Sequence, residues 1–145
     1  MLVGNVDADR LKEALAGALG VSLADIDVGH EDDHGARDWD AKVFTDYSSR
    51  NGDVSYGLSV FVADGVPSPP SEERLSLELA RALAIAVLFP PVENIPSLWK
   101  VATPRGEVAY ARLHEPERDG DVLRVTDVEI PVPEFPEATV SRFPM

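Results

Sequence analysis

The chain has 145 residues, 44% of them hydrophobic, which is enough for one domain with a real core. Its 26 Asp and Glu against 13 Lys and Arg leave a net charge of −13, so its long-range field repels phosphate backbones and anionic lipid surfaces. Neither nucleic acid nor a membrane is an expected partner, and with no cysteine there are no disulfides, thiolate nucleophiles or cysteine metal sites.

Met1 to Gly20 alternates charged and apolar residues without the basic and apolar regions of a signal peptide, so a cytoplasmic protein is expected. Asp7 to Leu19 reads as a helix capped by Asp7, with Leu11, Leu15 and Leu19 on one stripe and Gly20 at its end. The segment from Leu11 to Asp33, with Leu19-Gly20-Val21 and Asp25-Ile26-Asp27, resembles the opening of an acyl carrier domain. Such domains attach their prosthetic arm to a Ser that follows Asp; this chain has no Asp-Ser dipeptide, and the resemblance is set aside. Ala24 to Val28 fits either a short strand or one helical turn capped by Ser22.

His30, Glu31, His34 and Asp38 lie in the densest cluster of imidazoles and carboxylates, a candidate set for a divalent metal. His30-Glu31-Asp32-Asp33-His34 spells the His-Glu-x-x-His motif of zinc peptidases, which needs a long amphipathic helix. Gly29 and Gly35 flank it and Asp32 and Asp33 fill its inner positions, so an exposed acidic loop is the expectation. An EF-hand count from Asp27 puts Asp32 where glycine is required.

Trp39 to Tyr47 and Val54 to Val62 both alternate with period two around Asn51-Gly52, which marks a hairpin. A two-residue turn pairs Tyr47 with Tyr56, Thr45 with Leu58, Val43 with Val60 and Ala41 with Val62. Phe44 then faces Ser59, and Lys42 faces Phe61, on a partly exposed side. Pro67 to Pro70 leads into Ser71 to Phe89, read as a long core helix capped by Ser71 and ended by Pro90-Pro91. Nothing polar occurs from Ala82 to Phe89, so that half must be covered on more than one side.

Ser97 to Thr103 and Glu107 to His114 form a second hairpin around Pro104-Arg105-Gly106, with turns of two residues or more both allowed. After Asp119-Gly120, a third strand places Glu115 opposite Arg124, Arg112 opposite Asp127 and Ala111 opposite Val128. Leu113, Ala111, Ala109, Thr126, Val128 and Ile130 are then inward. Tyr110, Arg112, His114, Asp127 and Glu129 are outward, joined by Trp99 if the preceding turn has two residues. Trp99, Tyr110, Arg112, His114 and Asp127 are the candidate binding residues. Pro131 to Met145 is proline-rich and reads as an extended tail with Phe135, Val140 and Phe143 as anchors.

The expected fold is α+β: an antiparallel sheet of about five or six strands on a long central helix, in the order α-(β)-β-β-α-β-β-β, compatible with an αβββ duplication. Residues 1–130 form the domain and 131–145 a C-terminal tail. No phosphate loop, dinucleotide fingerprint or nucleophile elbow occurs, so the residues point away from an enzyme, and no cofactor is expected beyond a divalent metal at the loop. The leading expectation is a non-catalytic acidic protein-binding module, inhibitor-, immunity- or chaperone-like by analogy of size and charge, with a basic protein as partner. Its binding patch is expected from Trp39, Tyr47, Tyr56 or Trp99. The alternatives are a small-molecule or metal-binding domain, with or without catalysis, on the outer sheet face or the His30 to Asp40 loop, and a homodimer through a sheet edge or the tail.

Overall fold

The computed structural model describes residues 1–33, 35, 37–115 and 122–143. Asp7 starts helix α1 (Ala8–Leu19) by accepting the Arg10 amide on its carboxylate at 2.8 Å, and Gly20 ends it in the left-handed region at φ 67°. Its stripe of Leu11, Ala14, Leu15 and Leu19 is buried. Ser71 starts α2 (Glu72–Leu83) in the same way, accepting the Arg74 amide at 3.1 Å.

That second helix has 12 residues and stops at Leu83, six short of Phe89, which corrects the long central helix expected over 71–89. Ala84 turns left-handed at φ 55°, and Ala86–Phe89 is a fully buried strand, β5. A short apolar run bounded by prolines suits a strand buried on both faces as well as a buried helix. Ile85 and Val87 are β-branched and favour the strand. The requirement for cover on more than one side is met by a different element.

The remaining strands are β1 (Leu2–Val3), β2 (Ile26–His30), β3 (Val43–Ser49), β4 (Tyr56–Val62), β6 (Leu98–Ala102), β7 (Val108–His114), β8 (Arg124–Val128) and β9 (Thr139–Val140). Leu23–Asp25 makes one 3-10 turn before β2, so the Ala24 to Val28 segment is turn and strand together. Among the described residues the nine strands form one sheet in the order β2-β3-β4-β1-β5-β6-β7-β8-β9, larger than the five or six expected. It is mixed, because β2 pairs with β3 and β8 with β9 in parallel. The first strand pair after α1 is parallel and the first after α2 antiparallel, so the two halves do not repeat one pairing scheme.

Both helices lie on one face, where Leu11, Leu15, Leu79, Leu83, Val43 and Val87 build the first core. A second core lies on the other face of β5–β8, around Leu88, Val101, Ala111, Leu113 and Val125. The tip of the β3–β4 hairpin closes it: Asn51 O accepts the Leu123 amide at 2.8 Å, Leu123 O accepts the Asp53 amide at 2.9 Å, and Val54 is fully buried. This pairing changes the hairpin. Asn51–Val54 becomes a loop between Arg50 and Ser55, and Val43 faces Val62, two positions from the expected register. A shift of two preserves which side chains share a face, so the inward set survives while Phe44 now meets Phe61.

Two further registers are corrected. The β6–β7 turn has three residues between Thr103 and Glu107, which pairs Trp99 with Ala111 and turns it toward the second core, away from Tyr110. A bulge between Arg112 and Leu113 keeps Arg112 opposite Asp127 but places Leu113 against Val125 and His114 against Arg124. Val125 is therefore buried in place of Thr126, and Arg124 faces His114 in place of Glu115. The C-terminal segment is built into the domain. Val132 and Phe135 are buried in the second core, β9 extends the sheet, and Phe143 returns to the Tyr110 face, while Val140 is exposed.

Candidate functional site

Arg37 organises the first sheet edge. It is the only Lys or Arg between Asp25 and Asp40, and its side chain is 2% exposed. Nε donates to Asp27 Oδ2 at 2.5 Å, Nη1 to Asp46 Oδ1 at 2.9 Å and Nη2 to Thr45 O at 3.0 Å. Burial works against its charge, and the hydrogen bonds and charges of Asp27 and Asp46 outweigh that cost, holding its pKa above the usual arginine value. Gly29 makes room for it, since a Cβ there would lie 2.8 Å from the guanidinium carbon.

The guanidinium also covers the Phe44 ring at 4.3 Å, and Trp39 stacks on the same ring at 5.1 Å. Phe44 faces Phe61 across the β3–β4 ladder, on the side away from the helices. Trp39 is 64% exposed and Phe61 67% exposed. The result is an aromatic patch whose inner ring is braced and whose outer rings face solvent, beside the exposed Asp38 and Asp40. Of the aromatics expected at a binding patch, Trp39 is here. Tyr47 and Tyr56 pack edge-to-face with each other on the helix side of the sheet. Phe44, Phe61 and Arg37 were not singled out from sequence; a lone Arg within an acidic stretch, near a strand glycine, is the signal that marks the last.

The outer face of β7 brings together Tyr110 and Arg112. The Tyr110 hydroxyl donates to Glu93 at 2.5 Å, Lys100 lies over its ring at 5.3 Å, and Arg112 donates to Ser97 Oγ at 3.0 Å. The hydrogen bond holds Glu93 below the usual carboxylate range and raises Tyr110, with neighbouring carboxylates adding to the latter. Asp127 sits opposite Arg112 and accepts from Ser141 Oγ at 3.2 Å, and His114 is exposed at the strand end. Phe143 stacks against Tyr110 at 6.2 Å and lies under Arg112 at 5.8 Å, so the tail covers part of this cluster.

In the acidic loop, His30 ends β2, and its Nδ1 accepts the Asp32 amide at 3.1 Å. Glu31 begins a turn, which removes the helix that a His-Glu-x-x-His zinc site requires. Asp38 accepts the Asp40 amide at 3.1 Å and donates its own amide to Asp27 at 3.2 Å. His34 lies outside the described residues. Among the described residues no three His, Asp or Glu side chains converge as metal ligands, and no helix is long and apolar enough to cross a membrane. No protein-family model, curated protein or solved structure matches the chain.

Proposed function

We propose that the chain is a non-catalytic acidic module that binds a basic protein through the Trp39–Phe44–Phe61 patch. The observation that carries this reading is the exposure of Trp39, in the turn before β3, and of Phe61 on β4, both beside a Phe44 ring that the buried Arg37 braces. Exposed aromatics over a desolvated base have the anatomy of interface hot spots, and a net charge of −13 steers a basic partner toward them. The test is capture from native lysate at low and high salt, with wild type beside a Trp39→Ala/Phe61→Ser double variant. A stoichiometric basic protein, released by salt and weakened roughly tenfold or more by the double variant, is the expected result. Capture that ignores both changes would count against the patch.

A second reading, a small-molecule site on the outer face, draws on the Tyr110–Glu93 pair and its shifted ionisation. Phe143 over Tyr110 counts against it in this arrangement. It is tested by screening small anions and amines for changes in Tyr110 chemical shift.

A further inference from the structure

β4, α2 and β5 form a split βαβ unit: both strands run antiparallel to β1, hence parallel to each other, with β1 lying between them. β1 fills only part of the split. On the β4 side its register reaches Leu2 opposite Tyr56, and on the β5 side the amide of Leu88 donates to Met1 O at 2.8 Å. β4 continues five residues further, from Leu58 to Val62.

The ladder with β3 fixes which backbone groups face the split. Arg50 donates to Ser55 O, and Ala63 donates to Lys42 O, so the bonded positions of β4 are the odd-numbered ones. The N–H and C=O groups of Leu58, Val60 and Val62 therefore point away from β3, and among the described residues no partner bonds them. Beside this edge, under the first turns of α2, runs an apolar groove of about 290 Å³ lined by the half-buried Leu58, Val60, Val62 and Leu75, with Leu79 and Phe89 at its floor. Glu72 lines it too. On the other face the same five residues carry the exposed Phe61, so groove, edge and aromatic patch are continuous.

We infer that the partner binds by adding an extended strand to the β4 edge in line with β1. Its alternate side chains enter the groove under α2 and pack beside Phe61, and its basic residues meet Glu72. This rests on the proposed reading of the patch and supplies the form of the partner. An extended strand is the occupant because an unpaired row of backbone groups spaced every second residue is matched along its whole length by another strand, and a groove of apolar side chains on one side selects its alternate side chains.

The test uses a lysine-flanked peptide of alternating valine and threonine, and the same peptide N-methylated at every residue between the lysines, which removes the donors of both its edges. Amide hydrogen exchange is followed by NMR on the 145-residue chain. The parent peptide is expected to slow exchange at Leu58, Val60 and Val62 by roughly tenfold or more at saturation, and the N-methylated peptide to have no effect. Val60→Pro removes the amide that faces the split, together with the Val60 side chain in the groove, and should abolish the protection at Leu58 and Val62. Should that variant fail to fold, the N-methylated peptide alone decides. Unchanged exchange at the three amides, equal protection by both peptides, or protection that grows with protein concentration alone, the mark of a second copy, would overturn the inference. The two readings fail separately: partner capture that ignores the Trp39→Ala/Phe61→Ser change counts against the patch, and absent peptide protection at the three amides of the wild-type chain counts against the edge.

Discussion

Arg37 joins β2, β3 and the acidic loop through two carboxylates, a carbonyl and an aromatic ring. Removing it leaves Asp27, 13% exposed, without a counter-charge, so Arg37→Ala is expected to destabilise by about 3–5 kcal/mol in denaturant unfolding and to loosen Trp39. An unchanged unfolding midpoint would contradict that role. Tyr110 and Glu93 make a pH-dependent pair at a more open site. Tyr110 has its folded pKa raised, so its contribution is intact below the usual 10.0 and is lost as pH climbs through the folded value. Glu93 has its folded pKa lowered, so its contribution is present above the usual 4.5 and is lost as pH falls through the folded value. In an ultraviolet titration one of the three tyrosines should ionise late, and Tyr110→Phe should remove that late phase. Neither residue of the pair could be matched to the other from sequence, because they are 17 positions apart and meet through a loop and a strand.

The boundary between α2 and β5 carries the clearest stability prediction for an element. Ala84 holds a left-handed conformation at φ 55°, which glycine adopts without steric cost. Ala84→Gly should therefore raise stability by about 1 kcal/mol, read as a higher thermal midpoint. Gly52 is the opposite case. Its φ is 101°, and a Cβ would lie 2.2 Å from Leu123 O, so Gly52→Ala should cost about 2 kcal/mol or more and open the second core. Asn51-Gly52 was legible as a turn, yet its backbone groups were needed by a segment some seventy residues away, as measured by the Gly52–Leu123 bridge. That long-range demand moved the hairpin by two residues and brought Phe44 and Phe61 together.

For the whole molecule, the tail is part of the second core. Phe135 is 3% exposed under β5–β8, and Phe135→Ala should cost about 3–5 kcal/mol and lower the cooperativity of unfolding. A tail that only strapped the surface would leave the unfolding midpoint unchanged. Among the described residues the nine-stranded sheet carries helices on one face alone, the hairpin tip and tail closing the other face of β5–β8. The face of β2–β4 opposite the helices is left with Arg37, Trp39, Phe44 and Phe61, and the exposure of Trp39 and Phe61 there is why the proposed partner is placed on it.

What the sequence determined by itself is what a short segment settles internally. The caps of Asp7, Ser71 and Gly20, the apolar stripe of the first helix, the inward and outward faces of the β3–β4 hairpin and the −13 charge all follow from residues within a few positions of one another. Tertiary structure alone decided the quantities that depend on a distant partner. Ala86–Phe89 is a strand because a sheet was there to bury both its faces, Trp99 faces the second core because a turn has three residues, and Arg37 is buried because two carboxylates on neighbouring strands converge on it. Periodicity gives the shape an element prefers, but register, and the company a charge keeps, are set by groups that only folding brings within reach.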